Sequence, residues 1–172
     1  MGYTDSLRIP ADSVRRPSHQ DRGFSLLELL IGMAIVGLIA AVAIPGYTSF
    51  VDRAKVSTAI ADIKRIDMGI ERFRVQNGGL AGSLPDDLGQ VGFADLDDPW
   101  GNHYEYLLIE GMPPSISAKA RQDRHLKPIN TDYDLYSNGK DGVSNKSIVN
   151  KSSLDDIVRG KNGYWVGLGA DF

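Results

Sequence analysis

Residues 24–44 read FSLLELLIGMAIVGLIAAVAI, from Phe24 to Ile44, and the fold turns on how this run is covered. Every side chain in it is apolar or small except Ser25 and a single carboxylate, Glu28. Coiled as an α-helix rising about 1.5 Å per residue, it extends roughly 32 Å, close to the hydrocarbon thickness of a bilayer. A helix that is apolar on every side needs lipid or other helices around it, because one protein face leaves most of it in water.

The borders of the run differ. Upstream, RRPSHQDRG is polar and charged and gives way to Phe24 without a gradient. A removable secretory signal would instead place small residues after the run, and Ala40 to Ala43 offer them. Downstream, Pro45 removes a backbone donor and Gly46 adds backbone freedom, so a kink or local melting is expected. Helical spacing then resumes. Phe50, Ala54, Val56, Ile60, Ile63, Ile66, Ile70 and Phe73 recur mostly at steps of three or four. Asp52, Arg53, Lys64, Arg65, Glu71 and Arg72 supply the polar face, and Asn77-Gly78-Gly79 supplies the stop. The pattern predicts one helix over 24–76, an anchor in its first half and the spine of a globular head, residues 77–172, in its second.

Residues 1–23 carry Pro10, Pro17 and scattered charges with no apolar period, and read as a disordered leader. Arg15, Arg16 and Arg22 favour a cytoplasmic start, while Arg53 and Lys55 on the other flank oppose it. The stretch Arg22-Gly23-Phe24-Ser25-Leu26-Leu27-Glu28, followed by the apolar run and Pro45, resembles the processing site of type IV pilins and type II secretion pseudopilins. That resemblance implies a membrane peptidase that cuts between Gly23 and Phe24 and methylates Phe24. It also implies a single-pass protein of the bacterial inner membrane, its head in the periplasm, that later polymerises with itself into a filament. Minor pseudopilins and an inner-membrane assembly platform are the other implied partners. A carboxylate in hydrocarbon is costly enough to mark a function; by the same resemblance Glu28 pairs with the N-terminal amine of a neighbouring subunit. Its plainer reading is a residue at the wet edge of the membrane.

Length and composition set the remaining bounds. With 172 residues and 42% hydrophobic content, there is room for one modest domain beside the long helix. Cysteine is absent, which removes disulfides and thiolate metal sites. The net charge of −3 gives no reason to expect nucleic acid. Loss of residues 1–23 removes four arginines and three aspartates and moves it to −4.

Within the head, Leu84-Pro85-Asp86-Asp87-Leu88 predicts a helical turn opened by proline. His103–Ile109, Tyr133–Ser137 and Gly163–Leu168 read as strands. Strands joined by turns beside a long helix predict an α+β head with an antiparallel sheet. Residues 111–130, with Lys119, Arg121, Arg124, His125 and Lys127, read as a long hairpin connection with a solvated basic tip that doubles as a candidate contact site.

Asp134-Leu-Tyr-Ser137-Asn138-Gly139-Lys140-Asp141-Gly142-Val143, then Ser153-Leu154-Asp155-Asp156-Ile157, reads from the residues alone as an acidic loop; its oxygen-rich pattern also suits calcium, though without EF-hand spacing. Together with Asp98-Pro99-Trp100-Gly101-Asn102, Tyr104 and Tyr106, it looks like the signature of the major pseudopilins of type II secretion. The resemblance implies a structural Ca2+ held by Asp141 and Asp155 with carbonyls near Asn138 and Val143, and a contribution from Ser153 or Asp156. The segment between Val143 and Asp155 is longer than that pattern, and the chain runs on to Phe172.

Signals for catalysis are weak. His19, His103 and His125 lack metal-ligand spacing, and no serine sits in a nucleophile-elbow motif. The chain therefore reads as a structural subunit and not an enzyme. Its rivals are a type IVa-like surface pilin and a singly anchored protein that binds a ligand through Trp100, Tyr104 and Trp165.

Overall fold

The computed structural model describes residues 23–80 and 82–172. Apart from Gly23, the expected leader lies outside these residues. The chain divides into two compact units, one ending at Ile44 and the other spanning Pro45–Phe172.

Helix α1 runs Leu26–Gln76. Ser25 caps it, its Oγ accepting the Glu28 N–H at 3.1 Å, which satisfies one donor of the open first turn. The local melting expected at Pro45 and Gly46 does not occur, since both are helical. Thr48 donates its hydroxyl to the Pro45 carbonyl at 3.0 Å, a local contact that ties this turn together. At the other end the Gly79 N–H reaches the Arg74 carbonyl at 2.9 Å, with Gly78 and Gly79 at positive φ. That left-handed turn is why the Asn-Gly-Gly stop works.

In the second unit, Ala59, Ile63, Ile66 and Ile70 form the fully buried stripe of α1. Val56 and Ile60 pack at its margin. Phe50 and Ala54, expected on the same stripe, are exposed, because the covered stretch begins about a turn later.

Four strands follow: β1 Glu105–Leu108, β2 Tyr133–Ser137, β3 Ile157–Gly160 and β4 Trp165–Leu168. They form one antiparallel sheet in the order β1-β2-β3-β4, with Leu108 opposite Tyr133, Ser137 opposite Ile157 and Gly160 opposite Trp165. The expected α+β head is present. Strand β3 is not evident from the sequence pattern, because the charged Arg159 interrupts the apolar alternation that marks a strand.

The sheet has a core on each face. Tyr133, Leu135 and Ile157 join the buried stripe of α1 together with Leu84, Leu88 and Tyr104. On the opposite face Val158 packs with Ile129 and Ile148, flanked by Tyr136, Trp165 and Phe172. The alternation of neighbouring residues along β2 and β3 produces this division. The helical turn expected at Leu84–Leu88 sits instead at Leu88–Val91, because Asp87 caps it, accepting from Gly89 and Gln90 N–H at 2.7 and 3.1 Å. The Pro85 carbonyl accepts from the Tyr106 hydroxyl at 2.7 Å.

Candidate functional site

Two regions carry the chemistry expected from the sequence. The first is the start of α1. Throughout Leu26–Ile44 the large apolar side chains stand open; Val42 is 76% exposed, and Phe24 just before the helix is 85% exposed. The helix is long and apolar enough to cross a membrane. Glu28 lies one turn from Phe24, and both line a shallow groove floored by Gly32 and Gly37. A carboxylate in the first helical turn also sits at the positive end of the helix dipole. Glu28 is also the carboxylate nearest in sequence to Phe24 in the described chain.

The second region is the loop after β2. Asp155 accepts the Asp141 N–H at 3.0 Å, and Asp141 accepts the Val143 N–H at 2.8 Å, so the Asp155 carboxylate lies against the backbone of Asp141. Gly139 and Gly142 take positive φ. A Cβ at Gly139 would lie 2.3 Å from the Asp155 carbonyl oxygen, so only glycine lets the loop lie this close. The loop is anchored further by Asn102, which donates to the Gly139 carbonyl at 3.1 Å, and by Lys140, which pairs with Asp52 of α1 at 2.7 Å.

Asp156 and Ser153 turn elsewhere. Asp156 is fully buried and pairs with Arg121 and with the Ser144 hydroxyl, which donates at 2.6 Å. Burial pushes its carboxyl pKa up, and the hydrogen bonds from Ser144 and Arg121 oppose the rise. Ser153 accepts from the Asn145 N–H at 2.7 Å. Arg121, read as part of the solvated basic tip, is buried beside Asp156 with its guanidinium 4.0 Å from the Tyr136 ring centre.

Among the described residues no cluster of three or more His, Cys, Asp or Glu side chains is placed to hold a metal ion. The donors at Asn138–Val143 and Asp155 are two carboxylates in a carbonyl-rich turn. Oxygen donors of this kind are the chemistry of a hard cation and not of a transition metal.

Sequence reasoning missed a polar core under the sheet. Arg159, 2% exposed, donates to Asp67 of α1 at 2.5 Å and to Asp132 at 2.7 Å, and lies 3.9 Å from the Tyr133 ring centre. The Tyr133 hydroxyl donates to the same Asp67 oxygen at 2.5 Å. Asp134 is buried on the other face and accepts from the Asn130 amide at 2.9 Å and from the Arg121 N–H at 2.6 Å; burial raises its pKa. Trp100, Tyr104 and Trp165 do not form a common site: Tyr104 packs in the helix-side core and donates to Asp62 at 3.2 Å, whereas Trp165 stacks edge-on against Phe172 beneath the other face.

Residues 18–44 match the prokaryotic N-terminal methylation motif. The chain is 29% identical over 140 residues to the type II secretion system core protein G of Pseudomonas aeruginosa, covering 72% of this chain and 86% of that protein. It is 28% identical over 134 residues to the type IV major fimbrial protein FimA of Dichelobacter nodosus, covering 77% of this chain and 78% of that one. A fimbrial protein of Pseudomonas aeruginosa is 30% identical over 147 residues, covering 84% and 82% respectively. No solved structure matches significantly. With a methylation motif over the start of its apolar helix, that helix continuing into an antiparallel sheet, and fimbrial relatives matched over most of their length, the chain belongs to the type IV pilin-like family.

Proposed function

We propose that this protein is a structural, non-catalytic subunit of a pseudopilus serving type II protein secretion, held in the inner membrane before assembly with its head in the periplasm. The observation that carries the reading is the open apolar surface of Leu26–Ile44, broken only by Glu28 one turn from the cleavage position. Lipid covers that surface first and neighbouring helices cover it in the filament. The exchange costs little because lipid tails and apolar side chains are of similar polarity. Cleavage after Gly23 frees the Phe24 amine, and Glu28 of an adjacent copy neutralises it, which fixes how far each helix is offset from the next.

In the head, Asp141 and Asp155 with the carbonyls of Asn138 and Val143 would hold Ca2+, the ion supplying charge neutralisation between the two carboxylates. The resemblance of the loop to that of the major pseudopilins supports this, as does the close approach enforced at Gly139. A surface pilin is the second reading, supported by the fimbrial relatives. Deleting the gene in its host separates the two. Loss of exported protein from the medium with surface fibres intact supports the pseudopilus; loss of surface fibres with secretion intact supports the pilin.

A further inference from the structure

The charges of the head are unevenly distributed along the chain. Residues 77–118 contain no lysine or arginine, and Asp86, Asp87, Asp95 and Asp97 stand exposed there. The part of this segment from Asp86 to Asp97 belongs to the helix-side face of the sheet, where Leu84 and Leu88 are buried and Val91, Phe93 and Leu96 pack against the helix-side core, with Arg65 of α1 beside Asp95; Glu105 lies instead beside Lys119 and Lys146.

The opposite face is covered by two loops, residues 119–130 and 144–151, that fold as one layer. Gln122 bridges Ser147, with Gln122 N–H on the Lys146 carbonyl and Ile148 N–H on the Gln122 carbonyl, both at 3.0 Å. Lys146 is further fixed by its ammonium donating to the Ala118 carbonyl. The joined loops present Lys119, Arg124, Lys127, Lys146 and Lys151 as exposed cations, with Asp123 their only carboxylate. Among the described residues none of these five cations, and none of Asp86, Asp87 and Asp95, has an ion-pair partner within 4.0 Å. No ion pair joins the two sets within one head.

We propose that the basic double loop of one copy docks on the acidic 86–97 segment of the next copy in the filament. The inference rests on the filament reading and adds the head contact to it. Complementary patches on opposite faces of one subunit make a heterologous interface, the kind that propagates without closing and so builds an open helical fibre. A second copy is favoured over other acidic partners because the same chain carries the matching charge on a face of its own. Such a contact is screened by salt, with a Debye length of about 8 Å at 0.15 M.

The test uses sheared filaments of the processed full chain. A carbodiimide couples a lysine amine to a carboxylate without a spacer, and mass spectrometry of the linked dimer identifies the pair. The expected result is an amide between Lys119, Lys127, Lys146 or Lys151 and an aspartate of 86–97, lost when the filaments are pre-equilibrated in high salt. Filaments whose dimers contain no such link, or whose four lysines remain fully open to acetylation, overturn the head contact and leave the filament reading intact. If the unsubstituted processed chain forms no filaments at all, the filament reading falls and this contact falls with it.

Discussion

Arg159 of β3 and Asp67 of α1 meet at 2.5 Å beneath the sheet, with the arginine 2% exposed, so the helix and the sheet are joined by a buried charge as well as by apolar contact. Asp132 completes the neutralisation at 2.7 Å. Removing the arginine leaves two carboxylates without their cation. Arg159→Met is expected to cost about 3–5 kcal/mol of head stability, read by urea denaturation of the processed protein in detergent. A loss below about 1 kcal/mol would mean the charge is not needed there.

The tyrosines of the helix-side core give a pH signature. Burial pushes the phenol pKa values of Tyr104, Tyr106 and Tyr133 up, with Asp62 adding to the rise at Tyr104 and Asp67 at Tyr133. Raised phenols favour the folded state below the ordinary value of about 10, and that advantage is lost as the pH climbs above it. The melting temperature should therefore fall steeply above about pH 10, and Tyr133→Phe should flatten the fall while lowering the neutral-pH value slightly. An identical slope in both proteins would contradict the assignment.

What could be read in advance follows from how locally each signal is written. The long helix and the second strand, Tyr133–Ser137, are carried by unbroken runs of neighbouring residues, so spacing alone reveals them. Strand β3 was hidden because Arg159 looks like a surface residue until Asp67 and Asp132, 92 and 27 positions away in sequence, are brought beside it. Arg121 looks like part of a solvated basic tip for the same reason, since its partner Asp156 lies 35 residues on. Asp141 and Asp155 were linked only through family likeness; nothing in their spacing shows that one accepts the backbone N–H of the other.

Gly139 tests the loop geometry. With φ of +66° and a carbonyl 2.3 Å from any added Cβ, Gly139→Ala strains the backbone and displaces Asp155. The expected cost exceeds about 1 kcal/mol, with weaker calcium stabilisation alongside. An unchanged melting curve would show that the loop yields freely.

Calcium itself should raise the melting temperature of the processed protein, and Asp141→Ala should abolish the rise. No change on adding calcium or chelator would remove the ion from the account.

Glu28→Ala separates processing from assembly. Cleavage, followed by the mobility shift on a denaturing gel, should proceed normally, because the proposed cut between Gly23 and Phe24 does not involve the Glu28 side chain. Filament yield should fall more than about tenfold, the equivalent of losing a contact worth at least 1.4 kcal/mol. Normal yield would return Glu28 to the status of a capped, wet helix end.

The most direct measurement is the N-terminal residue and mass of the protein purified from its native membrane and from sheared filaments. The account predicts a chain that begins at methylated Phe24 in both fractions. A protein that keeps residues 1–23, or is trimmed after Ala43 and never enters a fibre, would contradict it.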